Sequence, residues 1–438
     1  MGAYNAYLAQ VPDDELGMAE LEGCELAMEW MNEPTRHIIT AEVLLNSANY
    51  DFCPRFATGR GDEIAFCSTR ESATGGVTTK AYGQNYQDIF WSERDRNGKW
   101  SEPAPLPAPV NSEHHEGAAW FNAKGNEVYF TRCPDEDNPN LGCDIYWSKK
   151  QGSGWSEPQL IKLKPDGADT LVVGHPVLTP DGQHLLFVSD MDGGYGGKDI
   201  WMATYDRSLK TFVEPVNLGP EINTKGDEAY PFVREDGTLY FSSTGHPGIG
   251  GMDVFSAEKV DEAKWGNVAN LQYPINSCAD DFGLVMEAEA ERGFFSSNRE
   301  GGRGSDDIYS FYLKPPLCAL DVQVLDDETL EPIPSAILTL VSSDNKEFVV
   351  TTDEEGWFSF GSSDGEYIEL EVSYELVATA NEYLRGSTDF DCIALNSDTM
   401  YLREFHLSGG IKAFPMRTVL YEYDECELFV DESVNLED

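Results

Sequence analysis

Few stretches of this 438-residue sequence combine residue types and spacing that could do chemistry. His114-His115-Glu116 joins two imidazoles to a carboxylate, a combination that can bind transition metals. It occupies the position in its repeat that Lys225-Gly226-Asp227 occupies in another, at the start of a strand, which favours a structural role. A catalytic site would need a nucleophile, a base or a metal set at workable spacing, and we find none. We therefore predict a protein that is not an enzyme.

Two glycine-rich loops carry the remaining candidates for binding. Asp190, Asp192 and Tyr195 lie in the segment DMDGGYGG, residues 190–197, while His246 and Ile249 lie in the corresponding loop of the next repeat. Carboxylate and carbonyl oxygens are the ligands that Ca²⁺ prefers, so Ca²⁺ at these loops is one interpretation. We favour tight turns, which glycine permits, and predict no cofactor. If the loops gather at one rim, these five residues form a surface for a partner.

Cys133 and Cys143 flank the long loop of the second repeat, near the facing ends of two adjacent strands. Their placement predicts a disulfide that staples the loop, and two half-buried thiols are the alternative. A disulfide would indicate an oxidising compartment. The chain holds nine cysteines, so at least one stays unpaired within it.

The elements that position these residues follow from a phrase that recurs five times. It consists of an aspartate, a branched apolar residue and an aromatic residue: Asp88-Ile89-Phe90, Asp144-Ile145-Tyr146, Asp199-Ile200-Trp201, Asp253-Val254-Phe255 and Asp307-Ile308-Tyr309. Successive copies lie 54 to 56 residues apart, so one structural unit is repeated five times. The aspartates are predicted to bond backbone amides at a strand start, with the aromatic residues packed between units.

Each unit has the pattern of four short antiparallel strands, which is typical of a propeller blade. The fifth copy lacks an outer strand, because Pro315-Pro316 follows it directly. Val43-Leu44-Leu45-Asn46-Ser47 instead matches the segments that lead from one blade to the next, such as Pro274-Ile275-Asn276-Ser277. A strand over 37–46 is therefore predicted to complete the last blade and close the ring.

The predicted fold class is mainly β, with a short helical segment at the start. Residues 1–35 are predicted to be helical, residues 36–314 to form a five-bladed propeller, and residues 315–408 to form a small β-sandwich. Residues 409–438 are predicted to contain one further strand, at 418–424, and are expected to begin a domain that the chain does not complete.

The composition excludes some classes of partner. The formal net charge of −48 disfavours nucleic acid and anionic membrane surfaces, since both would repel such a chain. No run of apolar residues is long enough for a transmembrane helix, so no transmembrane segment is predicted.

Several segments resemble known families. The repeats resemble the PD40-type, WD40-like blades of TolB-like propellers, most specifically through Phe295-Ser296-Ser297-Asn298-Arg299 and residues 301–309. Residues 332–336 and 352–358 resemble a carboxypeptidase-regulatory-like domain, and residues 419–424 resemble the first strand of an OmpA-like peptidoglycan-binding domain. Residues 3–8 are similar to the end of a tetratricopeptide unit.

This order of segments is similar to the PorE-type, OmpA-family proteins of the Bacteroidetes type IX secretion system. The resemblance implies a non-enzymatic periplasmic scaffold that binds other envelope or secretion-system proteins. It also implies association with the outer membrane through a lipid anchor outside this segment, and with peptidoglycan through the incomplete OmpA-like domain. Two alternatives stay open: a glycan-binding propeller that presents Tyr195 and Tyr230, and a hydrolase with its site in the propeller channel.

Overall fold

The computed structural model describes residues 1–74, 83–134, 138, 141–361, 367–395 and 397–410. The chain divides into two compact units, 1–314 and 315–438. The predicted fold class is confirmed: a helical segment, a five-bladed propeller and a small β-sandwich follow one another. Most of the segment that resembles an OmpA-like domain, 409–438, lies outside the described residues.

The first unit begins with two helices, α1 (Gly2–Leu8) and α2 (Glu15–Asn32), and a strand, β1 (His37–Ala41). Four sheets then follow in chain order. Their strands are β2 (Asp51–Phe56), β3 (Glu63–Ser68), β4 (Asp88–Glu93) and β5 (Ala104–Pro105); β6 (His115–Phe121), β7 (Glu127–Cys133), β8 (Asp144–Gln151), β9 (Gly154–Trp155) and β10 (Gln159–Leu160); β11 (Val173–Leu178), β12 (His184–Ser189), β13 (Asp199–Asp206) and β14 (Thr211–Asn217); and β15 (Glu228–Val233), β16 (Leu239–Ser243), β17 (Asp253–Asp261) and β18 (Lys264–Asn270).

The fifth sheet joins the two ends of the propeller. It consists of β19 (Asp281–Met286), β20 (Arg292–Ser297) and β21 (Asp307–Leu313), with β1 as the outer strand. β1 pairs antiparallel with β21 from His37 opposite Leu313 to Ala41 opposite Tyr309. The strand is shorter than the 37–46 expected from the sequence, because the amides of Leu45 and Asn46 turn back to bond the Glu42 carbonyl.

The first strands of the five blades contact one another in a closed cycle, β2 to β6, β11, β15, β19 and back to β2. They are therefore the inner strands that surround the central channel. The second strand is almost fully buried in four blades, while β7 of the second blade is about half-buried. In every blade the phenylalanine of this strand is among the least exposed large side chains: Phe66, Phe130, Phe187, Phe241 and Phe295.

In four blades, the repeated Asp-apolar-aromatic segment is held by an asparagine side chain. This asparagine lies in the segment that leads to the next blade, and it bonds the backbone of the apolar residue. The Asn223 side chain accepts a hydrogen bond from the Ile200 amide at 2.8 Å and donates one to the Ile200 carbonyl at 2.9 Å. Asn111, Asn276 and Asn46 make the same two bonds with Ile89, Val254 and Ile308. Asn46 makes them to the fifth blade, so this clasp also closes the ring.

Helix α2 lies against a loop of the fourth blade. A Cβ added to Gly23 would fall 2.6 Å from the Gly248 carbonyl oxygen, so the helix can approach this loop only with glycine at position 23. Among the described residues, neither helix is both long and apolar enough to cross a bilayer.

The second unit contains two sheets around one apolar core. Its strands are β22 (Cys318–Asp326), β23 (Ile337–Ser342), β24 (Glu347–Thr351), β25 (Trp357–Phe360), β26 (Ser373–Thr379), β27 (Gly386–Asp391) and β28 (Thr399–Leu407), in the orders β25-β22-β28 and β24-β23-β26-β27. β22 and β28 pair in parallel over nine residues. A disulfide joins Cys318 at the start of β22 to Cys392 just beyond β27.

Candidate functional site

Each inner strand of the propeller turns at one residue with a positive φ. These residues occupy the same place in every blade: Cys53, Ala118, His175, Tyr230 and Gly283, with φ between 44° and 65°. Strand pairing is interrupted at each of them by a bulge. A bulge re-aims the side chain at its apex, and a non-glycine residue in this region costs on the order of 1–2 kcal/mol. Such conformations cluster at functional sites, which directs attention to the channel.

The amides of four of the five turning residues donate hydrogen bonds to the second strand of the preceding blade. Cys53 donates to Ser296 Oγ at 2.8 Å, Gly283 to Ser242 Oγ at 3.3 Å, His175 to Thr131 Oγ1 at 2.9 Å and Ala118 to Cys67 Sγ at 3.1 Å. The equivalent residue in the third blade is Val188, which has no acceptor. There the Tyr230 amide donates to His175 Nδ1 instead, at 3.2 Å. This bond makes Nδ1 an acceptor, so the neutral His175 ring carries its proton on Nε2.

Aromatic rings on the inner strands of four of the five blades lie next to one another around the channel. The His175 and Tyr230 rings are stacked with centroids 4.2 Å apart, and Phe282 lies 4.9 Å from Tyr230. Phe52 follows, 6.2 Å from Phe282. The inner strand of the second blade contributes the small residues Gly117 and Ala118, and beside them lies a cavity of about 320 Å³.

Polar groups complete the lining of this cavity, which we call the channel mouth. Gln87, Lys198 and Asp227 line it together with the aromatic pair His175 and Tyr230. Lys198 Nζ lies 3.6 Å from Asp227 Oδ2, and both side chains are partly exposed, by 43% and 40%. The two sulfurs of Cys133 and Cys143 also belong to the lining, and the structure joins these cysteines in a disulfide.

Arg55 lies two residues beyond the bulge of the first blade and is 5% exposed. Its Nη1 donates to the carbonyls of Pro54, Gly283 and Leu284 at 3.1 to 3.3 Å, and its Nη2 donates to Pro231 at 3.0 Å. The guanidinium thus connects the first, fourth and fifth blades across the channel. Within the part of the chain that the structure describes, no carboxylate forms an ion pair with it.

Burial keeps the two aromatic partners of the channel mouth uncharged. Desolvation lowers the pKa of His175 to about 3, and the positive charges of Arg55 and Lys198 act in the same direction. Desolvation likewise raises the pKa of the Tyr230 phenol well above its usual value. Near neutral pH the site therefore offers a neutral imidazole and a neutral phenol beside one ammonium and one carboxylate.

The low pKa of His175 predicts a pH-dependent contribution to stability. Between about pH 6.5 and about pH 3 the unfolded chain binds a proton at this residue and the folded chain does not, so this contribution rises with pH. Glu228 and Asp253 act in the opposite sense, because burial raises the pKa of each to about 7. Comparison with a His175→Asn variant cancels their effect. We expect the stability advantage of the unsubstituted protein, measured by urea unfolding, to grow from pH 4 to pH 7; an advantage constant over that range would contradict the assignment.

The residues expected at an exposed rim separate into two groups. Asp190, Asp192 and Tyr195 are exposed on the loop between β12 and β13. Asp190 Oδ1 also accepts a bond from the Val172 amide at 2.8 Å, and Lys225 Nζ donates to the Tyr195 carbonyl at 3.0 Å. This loop is available as a contact surface.

His246 and Ile249 are partly buried within the fourth blade rather than exposed at a rim. His246 lies 5.2 Å from the Phe255 ring, its Nε2 is 2.9 Å from the Ile222 carbonyl, and burial lowers its pKa. It takes the place that Arg299 holds in the fifth blade, so its side chain fixes the blade rather than facing a partner. Ile249 is half-buried, and its amide donates to Asp253 Oδ2 at 2.6 Å.

The glycine-rich loops direct amides, not oxygen ligands, at the aspartate of their own blade. Tyr195 donates to Asp199 Oδ2 at 2.6 Å, and Gly250 joins Ile249 in bonding Asp253. Such an arrangement of amides holds an anion. Within the described ranges, no three His, Cys, Asp or Glu side chains come together as a metal site. In the His114-His115-Glu116 run, the Glu116 carboxylate instead binds Arg132 at 2.6 Å and His115 stacks on Tyr86.

Sequence reasoning named Tyr230 and Cys133 but missed His175, Lys198 and Asp227. One signal could have found the first of these. Three inner strands place a proline directly after the turning residue, in Cys53-Pro54, His175-Pro176 and Tyr230-Pro231. When the repeats are aligned by this proline, His175 and Tyr230 occupy the same position in adjacent blades. No comparable signal marks Lys198 or Asp227.

No family model matches the chain, and no curated protein matches it either. Solved structures do. A putative TolB from Agrobacterium tumefaciens is 14% identical, covers 60% of this chain and 78% of its own, and has a TM-score of 0.36. Zg3597, a family 117 glycoside hydrolase from the marine bacterium Zobellia galactanivorans, is 12% identical, with coverages of 63% and 90% and a TM-score of 0.41. An exo-β-1,3-galactanase from Clostridium thermocellum is 11% identical, with coverages of 81% and 82% and a TM-score of 0.41.

These likenesses concern the fold alone. The shared feature is the propeller. The prediction that the chain is not an enzyme is nevertheless wrong as it stands, because glycoside hydrolases are among the proteins with this fold. A missing catalytic motif in the sequence was therefore no ground for denying an activity.

Proposed function

We propose that the propeller binds saccharides at the channel mouth. The proposal rests on a cavity bordered by stacked aromatic rings, by hydrogen-bond donors and by hydrogen-bond acceptors. A sugar ring has an apolar face and a rim of hydroxyl groups, so it is matched by a site that is mainly apolar with a few placed polar groups. His175 supplies a ring N–H, Gln87 an amide, and Asp227 an acceptor.

The size of the cavity bears on what it can hold. Ligand sites commonly enclose roughly 300–1,000 Å³, and the channel mouth lies at the lower end. Arg55 crosses the channel and joins three blades. We infer that the site takes one or two sugar units rather than a chain threaded through the propeller.

The proposal concerns binding, and cleavage of the bound saccharide is a separate question that the carboxylates bear on. Glycoside hydrolysis usually needs two carboxyl groups about 5 to 9.5 Å apart around the scissile bond. Asp227 is the single carboxylate that lines this cavity in the described ranges, and it lies beside Lys198. Release of reducing sugar in the binding assay would show that a second carboxylate comes from elsewhere.

A Tyr230→Ala substitution tests the proposal, with Tyr195→Ala as the matched control. Tyr195 is exposed on the loop outside the cavity lining, so its loss should leave affinity unchanged. Loss of the Tyr230 ring should weaken binding by about tenfold, since an aromatic contact contributes roughly 0.5–1.5 kcal/mol beyond burial. Tyr230→Phe keeps the ring and should retain most of the affinity.

Titration calorimetry against a panel of short oligosaccharides, including peptidoglycan fragments, measures these effects. Near-ultraviolet circular dichroism confirms that each variant is folded. Failure of every saccharide to bind the unsubstituted protein would refute the proposed function. Equal affinities of the Tyr230→Ala and Tyr195→Ala variants would move the site away from the channel mouth.

A second candidate is a scaffold in the cell envelope, and the disulfides favour it. Cys133–Cys143 and Cys318–Cys392 are typical of an oxidising compartment, which supports a periplasmic location associated with the outer membrane. In this role the exposed loop at 190–198 would bind other envelope proteins and help tether a type IX secretion or gliding machine. A photo-crosslinking residue at Asp192 should capture a component of that machine in intact cells, and a matched probe at exposed Leu209 should not.

A further inference from the structure

We infer that the channel mouth selects acidic saccharides, that is, sugars bearing a carboxylate, over neutral ones of the same size. This inference rests on the proposed saccharide binding and adds the class of ligand. It starts from a contrast of charge. The chain has a formal net charge of −48, yet the charges that act on His175 at the channel mouth are two cations, Arg55 and Lys198. Asp227 lines the cavity beside Lys198, and a second anion, Asp306, lies outside the lining but acts on Tyr230.

Arg55 is the first source of the positive field. Its guanidinium is buried and bonded to four backbone carbonyls, which satisfy its hydrogen bonds without neutralising its charge. An arginine stays protonated in proteins, so this charge is permanent. In a buried environment a charge acts over longer distances than in water, because the effective dielectric constant is lower. Desolvation is the main cause of the lowered pKa of His175, and Arg55 adds to it, so the positive charge of Arg55 acts at His175.

Lys198 is the group that can touch the ligand. It lines the cavity and is 43% exposed, so its ammonium remains accessible. Its distance of 3.6 Å from Asp227 is too long for a hydrogen bond, so the pair is a loose one. A ligand carboxylate can therefore form a close contact with Lys198 without first breaking a strong internal bond.

The negative charge of the whole chain does not cancel this local preference. Charges separated by more than about 8–10 Å are largely screened at physiological ionic strength. A bound carboxylate would respond mainly to the nearby charges of Arg55, Lys198, Asp227 and Asp306, and among these Lys198 is the cation that lines the cavity. Remote acidic side chains slow the approach of an anion at low salt, and this effect fades as salt is added.

Two matched pairs of sugars test the inference and distinguish two natural kinds of acidic sugar, a uronate and a muramyl unit. Cellobiouronic acid is compared with cellobiose, and the disaccharide of N-acetylglucosamine and N-acetylmuramic acid is compared with chitobiose. In each pair the second member lacks the carboxylate. We expect at least one acid to bind about tenfold more tightly than its neutral partner, as charge-assisted contacts do. The pair that shows the preference tells whether a uronate or a muramyl unit is the ligand.

Substitutions of Lys198 and Asp227 then show which residue is responsible for the preference for the acidic sugar. Lys198→Gln should abolish most of the preference for the acid, while Asp227→Asn should increase it, because Lys198 loses its internal counter-ion. Lys225→Gln is the control, since Lys225 bonds the Tyr195 carbonyl and does not line the cavity. Equal binding of acidic and neutral sugars would overturn the inference and leave the proposed function standing. Absence of binding by all four sugars would count against both.

Discussion

A variant that lacks residues 1–42 is expected to lose the closed propeller, whereas one that lacks residues 1–36 is expected to keep it. The two truncations differ by six residues, which contain all of β1. Those residues pair with β21 at five positions and place Ile39 and Ala41 against the core formed by Tyr309 and Phe311. Without β1 the fifth blade has three strands and an open, unpaired edge at β21, which is prone to association between molecules.

Size-exclusion chromatography and near-ultraviolet circular dichroism distinguish the two outcomes. The longer truncation should give aggregates or an expanded monomer with a weak aromatic signal. The shorter truncation removes both helices, including the contact of Gly23 with Gly248, and so controls for the loss of the helical segment. A monomeric, fully structured protein lacking residues 1–42 would show that the ring does not depend on its closing strand.

An Arg299→Ala substitution should produce the second largest effect, a loss of about 3–5 kcal/mol in the free energy of unfolding of the propeller. The Arg299 side chain is 15% exposed, and its Nη2 lies 2.6 Å from the carboxylate of fully buried Asp281. It also donates to the carbonyls of Pro274 and Ile275 and lies over the rings of Phe295 and Tyr309. Its removal leaves Asp281 charged and buried without its partner.

Chemical denaturation followed by tryptophan fluorescence measures this loss. Arg60→Ala is the matched control: Arg60 also forms an ion pair, with Asp62, but its side chain is 73% exposed. Exposed pairs contribute at most about 1 kcal/mol, so the control should be nearly neutral. Arg299→Lys keeps the positive charge but loses the paired N–H donors of the guanidinium. Its loss of unfolding free energy should therefore lie between those of Arg299→Ala and Arg60→Ala. Similar losses for Arg299→Ala and Arg60→Ala would mean that burial of the pair has no energetic weight.

The fold could be predicted because the residues that recur in the sequence are the same residues that make the recurring contacts in each blade. Asp253 accepts amides from its own loop, Val254 is held by the Asn276 side chain, and Phe255 packs in the core. Each of these residues has a counterpart about 54 residues away, so the blade is visible as a pattern. The closing strand could be inferred for the same reason, since Asn46 repeats the clasp of Asn276.

The site could not be predicted in the same way, because it depends on departures from the repeat. The cavity exists where the second blade has Ala118 and others have Cys53, His175 or Tyr230. His175 serves as an acceptor because Val188 lacks the hydroxyl that Ser242 provides. The effect of each of these substitutions within the repeat depends on the side chain that it contacts in the adjacent blade. The linear sequence does not show which side chains are in contact there.

Long-range pairings in the second unit were hidden for a related reason. Cys318 and Cys392 are 74 residues apart, and no spacing rule joins them. β28 completes its sheet by lying parallel to β22, the first strand of the unit, which no local turn could indicate. The position of a strand within a sheet follows from the whole set of strands rather than from any one of them.

The register of the closing strand has a mechanical consequence. His37 and Leu313 lie directly opposite each other, so the chain enters and leaves the propeller at the same end of one antiparallel pair. A pulling force applied through the two flanking segments would act across the strands, along the direction of their hydrogen bonds. Five residue pairs would then break one after another, as in a zipper, instead of resisting together in shear. Tension applied at these two residues would therefore open the propeller first at the β1–β21 pair.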